Sequence, residues 1–347
     1  MFLIAGYFYF IANAFIRKKV DEALRALPPT LQGQYRLLQA DVLAGSLDIE
    51  GVKVRYSRDQ KNAQEVDVER VAISGIEAQD IDVAGLFSRR LDAGQISLRK
   101  GRIYAFRDRR LPLEPGEKPM PMASLESLPF DLRVGKVRMG PTRFQYEEYP
   151  KEGGKTGVLV IDGLKGTIEP LLNRPGKGDP AFITVTTEGL LMGSGLVTAT
   201  MRMRMPLDKN AFYEVEGAFH DLDLTRLNNA AENMGQLHLE SGMLNLLDFQ
   251  FEMGEDRAMG KIVGEYHDLV ADKLKEKNGG LKTDKLKSFA LKKLIIPPNK
   301  DKSLPVSKRT GKVDYKRDKE RYFSYYLLHS LLVGVKSSFS LGFLLPG

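Results

Sequence analysis

Three observations predict a mainly β chain: a long antiparallel sheet that must close, stack or curl to dispose of its apolar face, with an N-terminal membrane or amphipathic helix and few short helices. Apolar and polar residues alternate with period two along many apolar stretches. Helical spacing is confined to a few short segments. Crossover helices at βαβ spacing are missing, which favours antiparallel pairing. The clearest alternation lies in Leu190–Pro206, where Val197, Ala199, Met201, Met203 and Met205 alternate with Thr198, Thr200, Arg202 and Arg204. One face of that strand is apolar and the other is Thr and Arg, and Pro206, with no N–H to give, ends it. Methionine is unbranched and polarisable, so this face suits either ordinary core or a surface that accepts variable apolar partners.

The elements follow from the N-terminus. Residues 2–16 are almost unbroken apolar sequence, with Arg17, Lys18 and Lys19 behind them. About 15 helical residues reach only about 22 Å against a hydrocarbon core of about 30 Å. Segment 1–16 therefore reads as a short membrane anchor or, preferably, as the end of a longer one cut by an internal start. Val20, Ala23, Leu24 and Leu27 make 17–29 an amphipathic helix, stopped by Pro28-Pro29.

The β-sheet domain is expected over 30–267. Gln34–Asp41 and Gly45–Tyr56 form a hairpin, with Leu47, Ile49, Val52 and Val54 placed around Gly51. Val66–Ile73, Gln79–Val83, Asp92–Leu98 and Arg102–Phe106 continue the series. Gly94-Gln-Ile96-Ser-Leu98 recurs loosely as Gly135-Lys-Val137-Arg-Met139, about 41 residues on, a hint of stacked units. Pro-rich 111–129 reads as a long loop. Val158–Ile168, Phe182–Thr187, Val197–Met205 and Phe212–Phe219 follow. A short helix is expected in Asp223–Met234, capped by Asp223 or Thr225 and ended by Gly235.

The last hairpin sets Leu247, Phe249, Phe251 and Met253 against a return strand carrying Ala258, Gly260, Ile262, Gly264 and Tyr266. Small residues there leave room for bulky partners and let the sheet bend. Lysine-rich 268–320 reads as connecting structure. Segment 321–347 reads as apolar packing, too interrupted by His329, Ser330 and Lys336 to be a second span.

Composition bounds the function. With 42% hydrophobic residues over 347 the chain is globular, and without cysteine it has no disulfide framework, thiol catalysis or Cys-based zinc site. A net charge of +7 with pI near 9.2 suggests nucleic acid or an anionic membrane. The lysines of 273–293 and 308–319 are mostly without interleaved aromatics and belong to no nucleic-acid module, so no nucleic-acid partner is expected.

The order of parts resembles AsmA-like proteins, the bacterial group related to TamB and to bridge-like lipid transfer proteins. The carrying residues are the N-terminal apolar stretch, Leu43-Ala-Gly-Ser-Leu-Asp-Ile-Glu-Gly-Val52, Ala93-Gly-Gln-Ile-Ser-Leu-Arg-Lys-Gly-Arg-Ile103, Leu190-Leu-Met-Gly-Ser-Gly195 and Ser241-Gly-Met-Leu244. Phe249–Tyr266 and the ending Tyr325-Tyr-Leu-Leu-His-Ser-Leu-Leu-Val-Gly334 complete them. The resemblance implies a long antiparallel sheet curled into an apolar groove, an inner-membrane anchor, a periplasmic body, and a role in lipid transport or outer-membrane biogenesis. Phospholipid or another acyl lipid would be the partner. On that basis Val197, Met201, Met203, Met205, Phe249, Phe251 and Met253 are the candidate groove-lining residues, with a closed β core in an envelope assembly factor as the alternative.

Catalytic signatures are missing from the sequence. His220, His238, His267 and His329 form no HExxH motif, and helix-entry capping accounts for Asp221 and Asp223 without a metal. Glycine-rich 189–195 lacks the P-loop lysine, and Ser194 is not in a GxSxG elbow. No enzyme activity, metal or cofactor is expected.

Overall fold

The computed structural model describes residues 14–22, 24–25, 31–56, 64, 69–151, 154–205, 212–277, 280–286, 288 and 307–338. Most of the expected anchor and the last nine residues of the C-terminal segment lie outside these, as does part of the expected amphipathic helix, of which 14–22 and 24–25 are helical.

A 16-stranded mixed sheet dominates. Its first half contains β1 (Leu31–Gln34), β2 (Leu37–Asp41), β3 (Ser46–Tyr56), β4 (Arg70–Gln79), β5 (Arg90–Leu98), β6 (Gly101–Asp108), β7 (Asp131–Tyr149) and β8 (Gly157–Glu169). Its second half contains β9 (Leu171–Leu172), β10 (Phe182–Leu191), β11 (Gly195–Arg204), β12 (Tyr213–Asp223), β13 (Leu237–Met253), β14 (Arg257–Lys277), β15 (Gly280–Thr283) and β16 (Ser307–Lys316). The helices are α1 (Val83–Phe87), α2 (Pro121–Glu126), α3 (Asn228–Gly235) and α4 (Phe323–Ser338).

The expectation of a purely antiparallel sheet is corrected. β5 and β6 run end to end between β4 and β7, antiparallel to the first and parallel to the second. Segment 109–130, which contains the 111–129 expected as a loop, is the crossover that parallel pairing requires, and it carries α2. Its prolines and glutamates hid a helix of only six residues. The sequence recurrence now has a structural meaning. Gln95, Ile96, Ser97 and Leu98 partner Lys136, Val137, Arg138 and Met139, each pair 41 residues apart, so like residues lie side by side on parallel strands.

Two further expectations change. Gln79–Val83 is no strand: β4 stops at Gln79, and the Asp82 carboxylate accepts the Gly85 N–H at 3.1 Å to start α1. Residues 268–320 are more than connection. β14 continues to Lys277 with Leu269, Ala271 and Leu274 buried, and β16 pairs along β14 with Val313 fully buried. An edge strand needs few apolar residues, so its lysines masked it, and lysine on an edge also discourages pairing with other chains.

A crease crosses the sheet. Ile49 and Lys53 would share a face on a regular strand, yet Ile49 is buried and Lys53 exposed, because the strand switches faces at Gly51, φ +65°. Leu98 and Arg102, and Met139 and Arg143, bracket equivalent breaks at 99–100 and at Gly140-Pro141. Gly163, φ +62°, continues the line into β8, where an extra residue shifts the register with β7 and β10, and the crease ends there because β10 and β11 pair without a shift. Apolar residues on both sides of the crease thereby stay on one face of the sheet.

Helices α2 and α4 cover the second half of that face. In α4, Tyr326, Ser330, Gly334 and Ser338 recur every fourth residue and are buried. Gly334 sits on Ile262 and Val313, and a Cβ on Gly311 of β16 would run into the Gly334 carbonyl and the Ser338 backbone, so glycine lets helix and strand meet. The Phe323 ring lies 5.1 Å from Tyr213, whose hydroxyl accepts the Met122 N–H at 3.1 Å, joining α4, β12 and α2. The Asp223 carboxylate accepts from the Thr225 N–H at 3.0 Å and so starts the short helical turn ahead of α3.

Candidate functional site

The site is the apolar face itself. Cross-strand partners form continuous rows. One row runs Ala40, Leu47, Ala78, Ile96, Val137 and Ile168 across β2 to β8. It continues as Val185, Met201, Val215, Phe251, Gly260 and Val313 to β16. The neighbouring row runs Leu38, Ile49, Ile76, Leu98, Met139 and Gly166. It goes on through Thr187, Ala199, Gly217, Phe249, Ile262 and Gly311. Across the crease, Val54, Val71, Ile103, Phe144, Ile161 and Leu191 form another.

Burial divides these rows. Phe251, Phe249, Ile262 and Val313 are buried under α4, whereas Ile96, Leu98, Val137, Met139, Ile168 and Val185 remain half-buried. Helices α2 and α4 belong to the second half; Leu38, Ile49 and Ala78 at the β2–β4 edge are buried as well, and between the two, from β5 to β10, the rows keep an apolar stretch that α2 and α4 do not close.

The predicted groove residues fall largely in the closed half. Met203, Met205, Phe249, Phe251 and Met253 are in the main buried cluster, Met253 at 0% exposure. Met201 is half-buried at its margin, and Val197 is half-buried in the Phe219–Leu247 row. Sequence reasoning picked the most regular alternation and so missed Ile96, Val137, Met139 and Ile168. The signal for these was the recurrence, which places Ile96 beside Val137 and Leu98 beside Met139.

A polar plug joins the far end of β6 and β7 to the start of α4. Buried Arg107 pairs with Glu148 at 3.2 Å and donates to Gln64 Oε1 at 2.9 Å. The Gln64 oxygen also accepts from Arg321 at 3.2 Å, and the Tyr325 ring lies 5.2 Å from the Arg107 guanidinium. Tyr146 donates to Glu148 at 2.8 Å, and burial raises its pKa. Segment 109–130 is tied in as well: Lys118 N–H donates to the Lys319 carbonyl at 2.8 Å, and Arg317 donates to the Lys118 carbonyl. His329 stacks on Tyr325 at 3.6 Å, and burial pushes its pKa down to about 4.

The opposite, polar face carries a shallow trough of about 560 Å³ floored by threonines, including Thr167, Thr186, Thr198 and Thr200. Lys165 at its side is paired with Glu188 at 3.6 Å. The other histidines lie apart: His238 bonds Glu232 at 2.6 Å and His267 bonds Asn245 at 2.8 Å. Among the described residues, no group of three or more His, Cys, Asp or Glu is placed to hold a metal, and no helix is long and apolar enough to cross a membrane.

No protein-family model matches the chain, and no curated protein does so either.

Proposed function

We propose that this chain is a non-enzymatic, AsmA-like lipid-holding protein, anchored in the inner membrane by its N-terminal stretch with its body in the periplasm. Lipid acyl chains lie along the apolar rows of a curled sheet and move by sliding, without covalent steps, in lipid transport or outer-membrane biogenesis. The amphipathic helix of 17–29 would link anchor and sheet. The observation that carries this reading is the set of in-register apolar rows whose stretch from β5 to β10, with Ile96, Leu98, Val137, Met139, Ile168 and Val185, is left half-buried by α2 and α4. Burying such surface against acyl chains yields about 25 cal/mol per Å². Lipid extraction and mass spectrometry of protein purified without detergent tests it. Bound phospholipid, lost in Val137→Asp while folding is kept, is the expected result. A protein that is lipid-free and monodisperse contradicts it.

A second reading, a structural or assembly factor of the envelope with a closed β core, draws on the burial of Met203, Phe249, Phe251 and Met253 beneath α2 and α4. Under it, Val137→Asp would leave lipid content unchanged and reduce capture of an envelope partner.

A further inference from the structure

We infer that the polar face of β3–β7 docks on an anionic lipid bilayer. The observation is a set of like charges placed opposite one another. Arg55 of β3 is the register partner of Arg70 of β4, and Arg102 of β6 is the register partner of Arg143 of β7. Lys53 lies on the Arg102 row, joined to it through Ala72. All five cations are exposed. Like charges directly across a ladder destabilise a sheet, so folding alone does not favour this placement.

Their local partners leave most of the charge uncompensated. Among the described residues, Lys53 and Arg102 have no ion pair. Arg55 reaches the Gln32 amide oxygen at 3.5 Å, and Arg70 lies over the Tyr104 ring at 4.4 Å. Arg143 is the exception, paired with Asp162. With strands about 4.8 Å apart and alternate residues about 7 Å apart, the five charges fit a patch about 20 Å across. Two clefts of this polar face lie beside the patch, over β7, β8 and β10–β14, and the five cations do not line them.

The position favours a bilayer over other polyanions. The helix at 14–22 packs on the same sheet edge: Arg17 donates to the Leu38 carbonyl at 3.2 Å, and the Tyr35 hydroxyl donates to Asp21 at 2.7 Å. Basic patch and basic helix thus belong to one end of the molecule, and in the sequence Arg17, Lys18 and Lys19 of that helix follow directly on the apolar residues 2–16. Lipid loading of the apolar face and docking of the basic face are separate properties and are read separately.

The test is flotation of the full chain with phosphatidylcholine vesicles, with and without 30% phosphatidylglycerol. The variant K53Q/R55Q/R70Q/R102Q is compared with wild type at two salt concentrations. Wild type should prefer the anionic vesicles, less so at high salt. Each charge removed should weaken that preference about fivefold, several hundred-fold for all four. Binding to neutral vesicles and co-purified lipid should not change, and the variant should melt no lower than wild type, because repulsion has been removed. R55K/R70K keeps both charges and should bind as wild type does. Should the fourfold variant fail to fold, Arg102→Gln alone should lose about fivefold in binding with an unchanged melt. An anionic preference that survives these neutral substitutions overturns the inference. So does tighter binding of wild type to a single-stranded oligonucleotide than to anionic vesicles.

Discussion

The two halves of the sheet share the same apolar rows and differ in what lies on them. Between β10 and β16 the rows meet α2 and α4, and the largest side chains interlock: Phe251, Met253, Ile262 and Tyr266 are 0–2% exposed. Between β5 and β8 the row residues Ile96, Leu98, Val137, Met139 and Ile168 are half-buried. A row of apolar residues in register therefore does not by itself make a core. A core needs a second layer, and here one 16-residue helix with a glycine at its contact point supplies most of it.

The largest test of that contrast places the same charge in each half. Met253→Asp buries a carboxylate with no partner and should cost more than about 4 kcal/mol, measured by urea unfolding. Val137→Asp meets water on one side and should cost under about 2 kcal/mol. Equal losses would mean that both halves are closed.

Next comes the layer itself. Gly311→Val drives side-chain atoms into the α4 backbone and should cost about 3 kcal/mol, with hydrogen exchange rising in α4 before it rises in β2–β8.

A smaller effect is read by pH. His329 faces Tyr325 and Tyr315, with Arg107, Arg321 and Lys336 adding positive charge nearby. Burial, the main cause, holds its pKa near 4, below the ordinary 6.5, so the unfolded chain takes up the proton first. The stability is full above about pH 6.5 and falls as the pH drops towards 4, by about 1–2 kcal/mol given partial solvent screening. His329→Gln should flatten that slope, while charge variants on β3–β7 should not touch it. The smallest effect is expected from Asp223→Ala, which removes the cap before α3 and should lower stability by about 1 kcal/mol.

Much of this was legible in the sequence. The β class followed from alternation, and the Gly51 switch was visible in Leu47 and Ile49 giving way to Val52 and Val54. Asp223 capping followed from residue type. What escaped was pairing. A 41-residue recurrence looks the same whether its copies stack as hairpins or lie parallel, because period-two patterns carry no strand direction. β16 escaped because an edge strand with one buried face needs little beyond Val313 and Tyr315. The candidate residues were the most regular ones, and regularity marks a buried face without telling whether a helix or something else completes it.

The crease has a mechanical consequence. Breaks at Gly51, at 99–100, Gly140 and Gly163 fall in line across β3 to β8, so the first half of the sheet has one axis of low bending stiffness in an otherwise hydrogen-bonded plate. Two panels can open or narrow about that axis while every ladder on either side keeps its register. The span of the apolar face is then set by an angle and not by the number of strands.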